Sequence, residues 1–171
     1  MQRLLALSSA SLLSICVAAA QPPVQAKAPT IDQSLEMVNV SNPRISPDGA
    51  RVVYEQTRTN WDANEFNTDL WIADVATGER HQLSAGPRSS TAAAWSPDGK
   101  WIAFLSDRPA PLPESPKEKQ QLYVMPASGG EAQQITKMEK GVEEFDWAPD
   151  SKRIAVKAES PDTKEIGRAH V

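Results

Sequence analysis

The chain has 171 residues, of which 18 are basic and 22 acidic, so its net charge at pH 7 is −4. This balance argues against a nucleic-acid partner, because binding to phosphates requires a basic face and the basic residues here are scattered. The single cysteine, Cys16, lies near the N-terminus, so the chain forms no internal disulfide.

The first 20 residues are typical of an export signal. Arg3 supplies the positive start, residues 4–20 are apolar or small, and Ala18-Ala19-Ala20 offers a cleavage site. A transmembrane anchor is the alternative, but the stretch is short and rich in serine. A lipid anchor is disfavoured because no small residue precedes the cysteine. We expect cleavage before Gln21, a periplasmic or secreted bacterial protein, and no membrane contact after the signal is removed.

Residues 21–40 form a short lead-in, and three near-copies of one phrase follow it. Their first small residues, Ser46, Ser96 and Ala148, are spaced by 50 and 52 residues. Such a period indicates a propeller or a similar array. The order Ser, Pro, Asp and Gly favours a type I turn, so each phrase predicts the pivot of a hairpin. The three copies are Ile45-Ser46-Pro47-Asp48-Gly49, Trp95-Ser96-Pro97-Asp98-Gly99 and Trp147-Ala148-Pro149-Asp150-Ser151.

Each predicted turn leads into a short apolar run, which is typical of a buried strand. A second phrase, residues 69–74, recurs 52 positions later at residues 121–126 and predicts third strands. Fourth strands are expected at residues 82–84 and 134–136. Four strands in each period make a propeller blade, so residues 41–165 predict an all-β partial β-propeller of about two and a half antiparallel blades. Another all-β fold with the same turns is the alternative.

Two loops are expected between second and third strands. One is polar, spans residues 60–68 and holds Trp61 and Phe66; the other, residues 108–120, is rich in proline. Both should emerge on the same face of the disc, where repeat proteins often bind their ligands. Tolerated insertions would have the same appearance.

The chain lacks the sequence motifs of common catalytic and metal sites, so no catalytic residue, cofactor or metal ligand is predicted. His81 precedes an outer strand and is interpreted as a surface residue. Glu143 and Glu144 could capture a ligand amine, but strand alternation would place them on opposite faces, which favours a strand-edge role. Four tryptophans recur at repeat positions and are expected to pack between blades: Trp71, Trp95, Trp101 and Trp147.

Residues 38–157 resemble the start of the β-propeller in the prolyl oligopeptidase family of serine peptidases, particularly its acylaminoacyl-peptidase and dipeptidyl-peptidase-like branch. The resemblance implies a parent protein with about seven blades above a C-terminal α/β-hydrolase domain. There a Ser-Asp-His triad would cleave short peptides, and the propeller would screen them by size. No triad residue matches this chain, so we expect the fragment to be inactive. The matching segments are residues 45–49, 69–73, 103–108, 121–124, 129–132 and 143–150.

A periplasmic propeller that only binds, similar to the Tol-system propeller protein, is the alternative. That family carries an α/β domain ahead of its blades, and residues 21–40 are too few to form one. The sequence alone leaves peptide specificity and oligomeric state open.

The last residues of the chain have an unusual origin in our interpretation. Residues 165–171 match the translation of a widely used short-read sequencing adapter, AGATCGGAAGAGCACACGTC. We therefore exclude residues 166–171 from the fold prediction. The repeat array is cut in mid-blade, which would leave strand edges open, so we expect the chain to be part of a longer protein.

Overall fold

A computed structural model describes residues 28–108 and 119–159. The predicted export signal, most of the proline-rich loop and residues 166–171 lie outside the described residues. No helix in the described ranges is long and apolar enough to cross a membrane. The elements in chain order are α1 (Ile31–Leu35), β1 (Asn39–Ile45), β2 (Arg51–Asn60), β3 (Glu65–Asp74), β4 (Arg80–Gln82), β5 (Ser90–Trp95), β6 (Trp101–Ser106), β7 (Gln121–Pro126), β8 (Gln133–Gln134), β9 (Glu144–Trp147) and β10 (Ile154–Lys157).

The strands form consecutive antiparallel sheets. β1 to β4 make one four-stranded sheet in chain order, which we call blade 1, and β5 to β8 make a second, blade 2. β9 and β10 pair as a hairpin, which we call the blade 3 hairpin. The predicted all-β architecture of four-stranded antiparallel blades is thereby confirmed.

The serine of the repeated phrase closes each of the first two hairpins. Ser46 donates to Asp48 Oδ1 at 2.5 Å and accepts from the Arg51 N–H at 2.9 Å. Ser96 repeats both bonds in blade 2, at 2.6 and 3.0 Å. The hydroxyl and the Ala50 N–H, in that order of effect, hold the pKa of Asp48 below its ordinary value. The phrase is therefore a turn that is closed by its own side chains.

The third copy of the phrase keeps the turn by other means. Ala148 has no hydroxyl, and Arg153 instead donates to Asp150 Oδ2 at 2.9 Å. Ser151 takes the place of glycine at φ 57°, a conformation that costs an L-residue about 1 to 2 kcal/mol. Its hydroxyl accepts from the Asp98 N–H at 3.0 Å, which links the turns of neighbouring blades. The replacement of glycine by Ser151 thus provides a hydrogen bond between neighbouring blades.

The core lies between the blades. Leu70 and Ile72 of blade 1 pack against Phe104 of blade 2, and all three are at most 1% exposed. A second cluster, built around Leu105 and Leu122, joins the other face of blade 2 to the blade 3 hairpin. Burying a side chain of this size contributes about 1.5 to 3 kcal/mol, so the packed blade faces supply most of the stability.

The tryptophans divide between the core and the surface. Trp95 is 9% exposed and Trp147 packs against the second core cluster, as expected. Trp71 is only half-buried, because it faces away from blade 2. The Arg58 guanidinium covers part of its ring. The prediction for Trp101 is wrong: its side chain is 41% exposed.

Two boundaries differ from the sequence prediction. The loop predicted at residues 60–68 is confined to residues 61–64, because β2 and β3 stay paired as far as Asn60 and Glu65. The fourth strands end earlier than expected. In their place, the Ser84 hydroxyl accepts from the Leu70 N–H at 2.8 Å, and Thr136 does the same for Leu122 at 2.9 Å. A side-chain acceptor thus replaces the last rung of each ladder.

The lead-in is attached to blade 1. Thr30 caps α1 by accepting from the Gln33 N–H, while the Gln33 side chain accepts from the Thr30 N–H. Thr59 of β2 donates to the Leu35 carbonyl. These bonds fix the chain just before β1 begins.

Candidate functional site

The first strands of the blades form the inner edge of the array. β1 and β5 contact each other, and β5 also contacts β2 and β3. Each strand has a bulge, between Ser41 and Arg44 in β1 and between Thr91 and Ala94 in β5. In a propeller this edge lines the central channel, so the bulges shape the channel wall.

Glu55 joins the two bulges. This residue is only 5% exposed, yet it carries a carboxylate. Oε2 accepts from Asn42 Nδ2 at 2.8 Å and from the Ser41 hydroxyl at 3.4 Å, and Oε1 accepts from the Ala92 N–H at 2.8 Å. One side chain therefore connects the inner strands of blades 1 and 2. Sequence reasoning missed it, although its alternation with the buried Val53 placed it on the core face.

A cavity of about 450 Å³ opens along the inner strands. Its size falls within the range of about 300 to 1,000 Å³ that small-ligand sites occupy. The alanines of β5 leave the space open, and charged residues of blade 1 and the blade 3 hairpin stand around it. The lining residues are Asn42, Arg44, Ala92, Ala93, Ala94, Leu105, Glu143, Glu144, Phe145 and Asp146.

The two glutamates do not point apart as predicted. Lys157 Nζ lies 3.1 Å from Glu143 Oε2 and 3.8 Å from Glu144 Oε2. β9 begins only at Glu144, so Glu143 lies outside the strand alternation, and both long side chains reach the same ammonium. The Glu143 hydrogen bond, followed by the charges of both glutamates, raises the pKa of Lys157. Both glutamates therefore form ion pairs with a lysine of β10.

An arginine covers the aromatic ring of the third strand in each blade. The Arg108 guanidinium carbon lies 5.0 Å from the centre of the Tyr123 ring and 5.3 Å from that of Phe104. Arg58 holds the corresponding place in blade 1, 5.6 Å from the Trp71 ring. Such contacts are worth about 0.5 to 2 kcal/mol each. The two arginines are 50 residues apart, the same spacing as Ser46 and Ser96, although the residues around them differ.

Arg108 also anchors the end of β6. Its Nε donates to Ser106 Oγ at 3.3 Å and its Nη2 to Ser90 Oγ at 3.2 Å. The two serines bond each other, and Ser106 donates to the Ser89 carbonyl at 2.8 Å. These hydroxyls hold an arginine in place. The segment Ser106-Asp107-Arg108 therefore fixes where the proline-rich loop leaves the blade.

A half-buried acid, Asp69, lies near this arginine. Burial raises the pKa of Asp69, while a hydrogen bond from Gln82 and the charges of Arg58 and Arg108 lower it in part. Within the described ranges, Asp69 Oδ1 is buried and accepts no hydrogen bond, and the same holds for Asp107 Oδ1. A buried acceptor without a donor lowers the stability of the fold, so these two oxygens destabilise this face of the blades.

An apolar groove of about 410 Å³ lies between blade 2 and the blade 3 hairpin. Trp101 and Trp147 stand on its sides, and Leu122 and Val156 are among its lining residues. The exposure of Trp101 is explained by this groove, since no described segment covers the ring there.

The histidine singled out in the sequence lies at the surface. His81 lies exposed on β4, paired with Ile72 in the ladder. In the described part of the chain no three His, Cys, Asp or Glu side chains stand close enough to hold a metal ion. The described residues combine an inner edge that borders a cavity with a face on which Arg58 and Arg108 cover aromatic rings.

Relatives of the chain are peptidases by name. The uncharacterized peptidase YuxL of Bacillus subtilis is 35% identical over 127 residues, which is 74% of this chain and 18% of that protein. Dipeptidyl-peptidase 5 of Porphyromonas endodontalis is 26% identical over 130 residues, covering 76% of this chain and 18% of that protein. The chain thus spans 18% of the length of these two relatives.

Solved structures share the fold. The acylaminoacyl peptidase of Pyrococcus horikoshii matches with a TM-score of 0.57 at 23% identity, covering 72% of this chain and 17% of that one. The putative TolB of Agrobacterium tumefaciens matches with a TM-score of 0.50, also at 23% identity, covering 66% of this chain and 35% of that one. At these identities the likeness concerns the propeller architecture.

The sequence-based resemblance to a peptidase propeller is confirmed by these relatives and by the shared architecture. The family model of the TolB beta propeller domain matches residues 26–171. This match includes both four-stranded blades and the blade 3 hairpin. The chain therefore belongs to the TolB beta propeller domain family.

Proposed function

We propose that the chain is the N-terminal propeller segment of an exported serine peptidase that hydrolyses short peptides of the acylaminoacyl or dipeptidyl type. One observation carries the proposal: a relative named as a peptidase is 35% identical to the chain, and the chain spans 18% of it. The catalytic residues then belong to a C-terminal α/β-hydrolase domain outside this chain.

The propeller in this proposal controls which peptides reach the catalytic domain. The inner strands with their cavity of about 450 Å³ line the path, and blade packing keeps the path narrow. Export is proposed from the leader sequence in residues 1–20, which lie outside the described residues. The chain by itself is proposed to be inactive, since a serine peptidase needs a nucleophile, a base and an orienting acid.

The test is to recover the full-length gene and to express both its product and the 171-residue chain. Each is assayed with aminoacyl and acylaminoacyl reporter peptides, with and without a serine-directed phosphonate. We expect phosphonate-sensitive cleavage by the full-length product and none by the chain. Cleavage by the chain alone would overturn the proposal that the catalytic residues lie in a domain outside this chain.

The binding-only propeller is the second candidate, and it is favoured by the name of the matched family and by the TolB fold match. A full-length gene that ends after the propeller, with no G-x-S-x-G segment, would decide for it. N-terminal mass spectrometry of the exported product tests the leader: a mature protein that begins at Gln21 supports export, and retention of Met1 in a cytosolic product contradicts it.

A further inference from the structure

We propose that Glu55 is a positioning residue that locks the inner strands of blades 1 and 2 together and thereby fixes the channel wall. The proposal rests on its burial, on its bonds to both blades and on the backbone of the residues that it holds. Its consequence for peptide admission rests on the proposed function. The lock itself does not.

The Glu55 carboxylate is held by donors from both blades. The Ser41 hydroxyl and Asn42 Nδ2 come from β1, and the Ala92 N–H comes from β5. A carboxylate that is 5% exposed has lost most of its water, so these three donors replace its hydration. Because Ala92 offers a backbone group, no substitution at that position removes this donor except proline.

Two of the three residues that donate to Glu55 have unusual backbone conformations. Asn42 has φ 49° and Ala92 has φ 55°, both in the left-handed region. Asparagine tolerates this region, whereas alanine adopts it only when its surroundings impose it. The bond from the Ala92 N–H to Glu55 is an interaction that imposes it, and it holds the β5 bulge towards blade 1.

The next junction shows what the inner edge looks like without such a carboxylate. Leu105 occupies in blade 2 the place that Glu55 occupies in blade 1, 50 residues earlier. Leu105 lines the cavity of about 450 Å³, together with Phe145 of the blade 3 hairpin. A leucine cannot accept from the neighbouring inner strand, and the cavity lies there. Glu55 therefore links its junction through a carboxylate, whereas at the next junction Leu105 packs in the apolar cluster that joins blade 2 to the blade 3 hairpin.

The lock is tested by amide hydrogen exchange in the 171-residue chain. Glu55→Ala should lower the protection of the Ala92 amide at least tenfold relative to that of Ile102, which lies in the core of blade 2. Glu55→Gln keeps one acceptor oxygen, so its Ala92 protection should lie between that of the natural chain and that of Glu55→Ala. Glu79→Ala, an exposed glutamate in a turn, is the control and should leave both amides unchanged. An unchanged ratio in a folded Glu55→Ala variant would overturn the lock.

A second variant keeps the test decisive if Glu55→Ala does not fold. Ala92→Gly removes the cost of the left-handed backbone, because glycine adopts it freely. If Glu55 imposes that conformation, Glu55→Ala is tolerated better in a chain that also carries Ala92→Gly than in the natural chain. Equal losses of stability in both backgrounds would show that Glu55 and Ala92 are not coupled.

Peptide admission is tested with the full-length gene product. Glu55→Ala should raise the ratio of kcat/KM for a long peptide to that for a short peptide several-fold, and Glu79→Ala should not change it. An unchanged ratio beside faster Ala92 exchange would refute the role in screening and leave the lock established. A product that cleaves no peptide would refute the proposed function, and the exchange result alone would then decide about the lock.

Discussion

Replacement of Trp95 by phenylalanine should weaken the junction between blades 1 and 2. Trp95 Nε1 donates to the Arg44 carbonyl at 2.9 Å, and its ring lies under the Arg51 guanidinium at 5.0 Å. Loss of the hydrogen bond leaves a carbonyl without its partner, at about 1 to 2 kcal/mol. The smaller ring leaves a void of roughly 40 Å³, which adds about 1 kcal/mol. The expected loss is therefore about 2 to 3 kcal/mol.

Urea unfolding of the 171-residue chain, followed by circular dichroism, measures this loss. The matched control is Trp101→Phe, the same change at a side chain that is 41% exposed and donates no hydrogen bond in the described structure. It should alter the free energy of unfolding by less than about 0.5 kcal/mol. Both variants are measured in one buffer that contains a stabilising osmolyte, since open blade edges predict a poorly stable chain. Equal losses for the two variants would refute the reasoning.

Three further predictions use the same unfolding measurement. Ser84→Ala should cost about 1 to 3 kcal/mol, because the buried Leu70 N–H loses its acceptor, and a neutral result would contradict this role. Gly141→Ala should lower the free energy of unfolding more than Gly49→Ala. Both glycines have positive φ, but only at Gly141 would a Cβ meet a backbone atom, the Gln120 oxygen at 2.9 Å. Equal losses for the two variants would refute the clash. Burial raises the pKa of Asp69, so its contribution to stability is present below the ordinary value of 3.8 and is lost as pH rises through the raised pKa. Asp69→Asn should therefore gain stability over the natural chain as pH rises above 3.8, with Asp62→Asn as the control, and a pH-independent difference would contradict the assignment.

The sequence predicted the hairpins well because their determinants are local. The turn at Ser46 closes through residues within five positions of it, and the same chemistry recurs at Ser96. Local determinants of this kind can be read from one segment at a time. The blade architecture followed from their spacing.

The inner edge could not be predicted in the same way. Glu55 acts through Ala92, which is 37 residues away, and nothing at either position shows the left-handed backbone. The Glu143 and Glu144 pair was misjudged because alternation holds only inside a strand, and β9 begins one residue later than the prediction required. Trp101 was misjudged because its place in the repeat indicates its position in the blade but not whether another segment covers its side chain.

The indole bonds between blades have a direction. Trp95 donates to the Arg44 carbonyl and Trp147 donates to the Ala94 carbonyl, so blade 2 and the blade 3 hairpin each donate a hydrogen bond to the blade before them. Contacts of this head-to-tail kind are heterologous, and they repeat until the rotation closes. Ile45 stands in blade 1 where the later blades carry tryptophan, and it is 68% exposed and has no hydrogen to give. Blade 1 therefore cannot continue this series of indole bonds on its side away from blade 2.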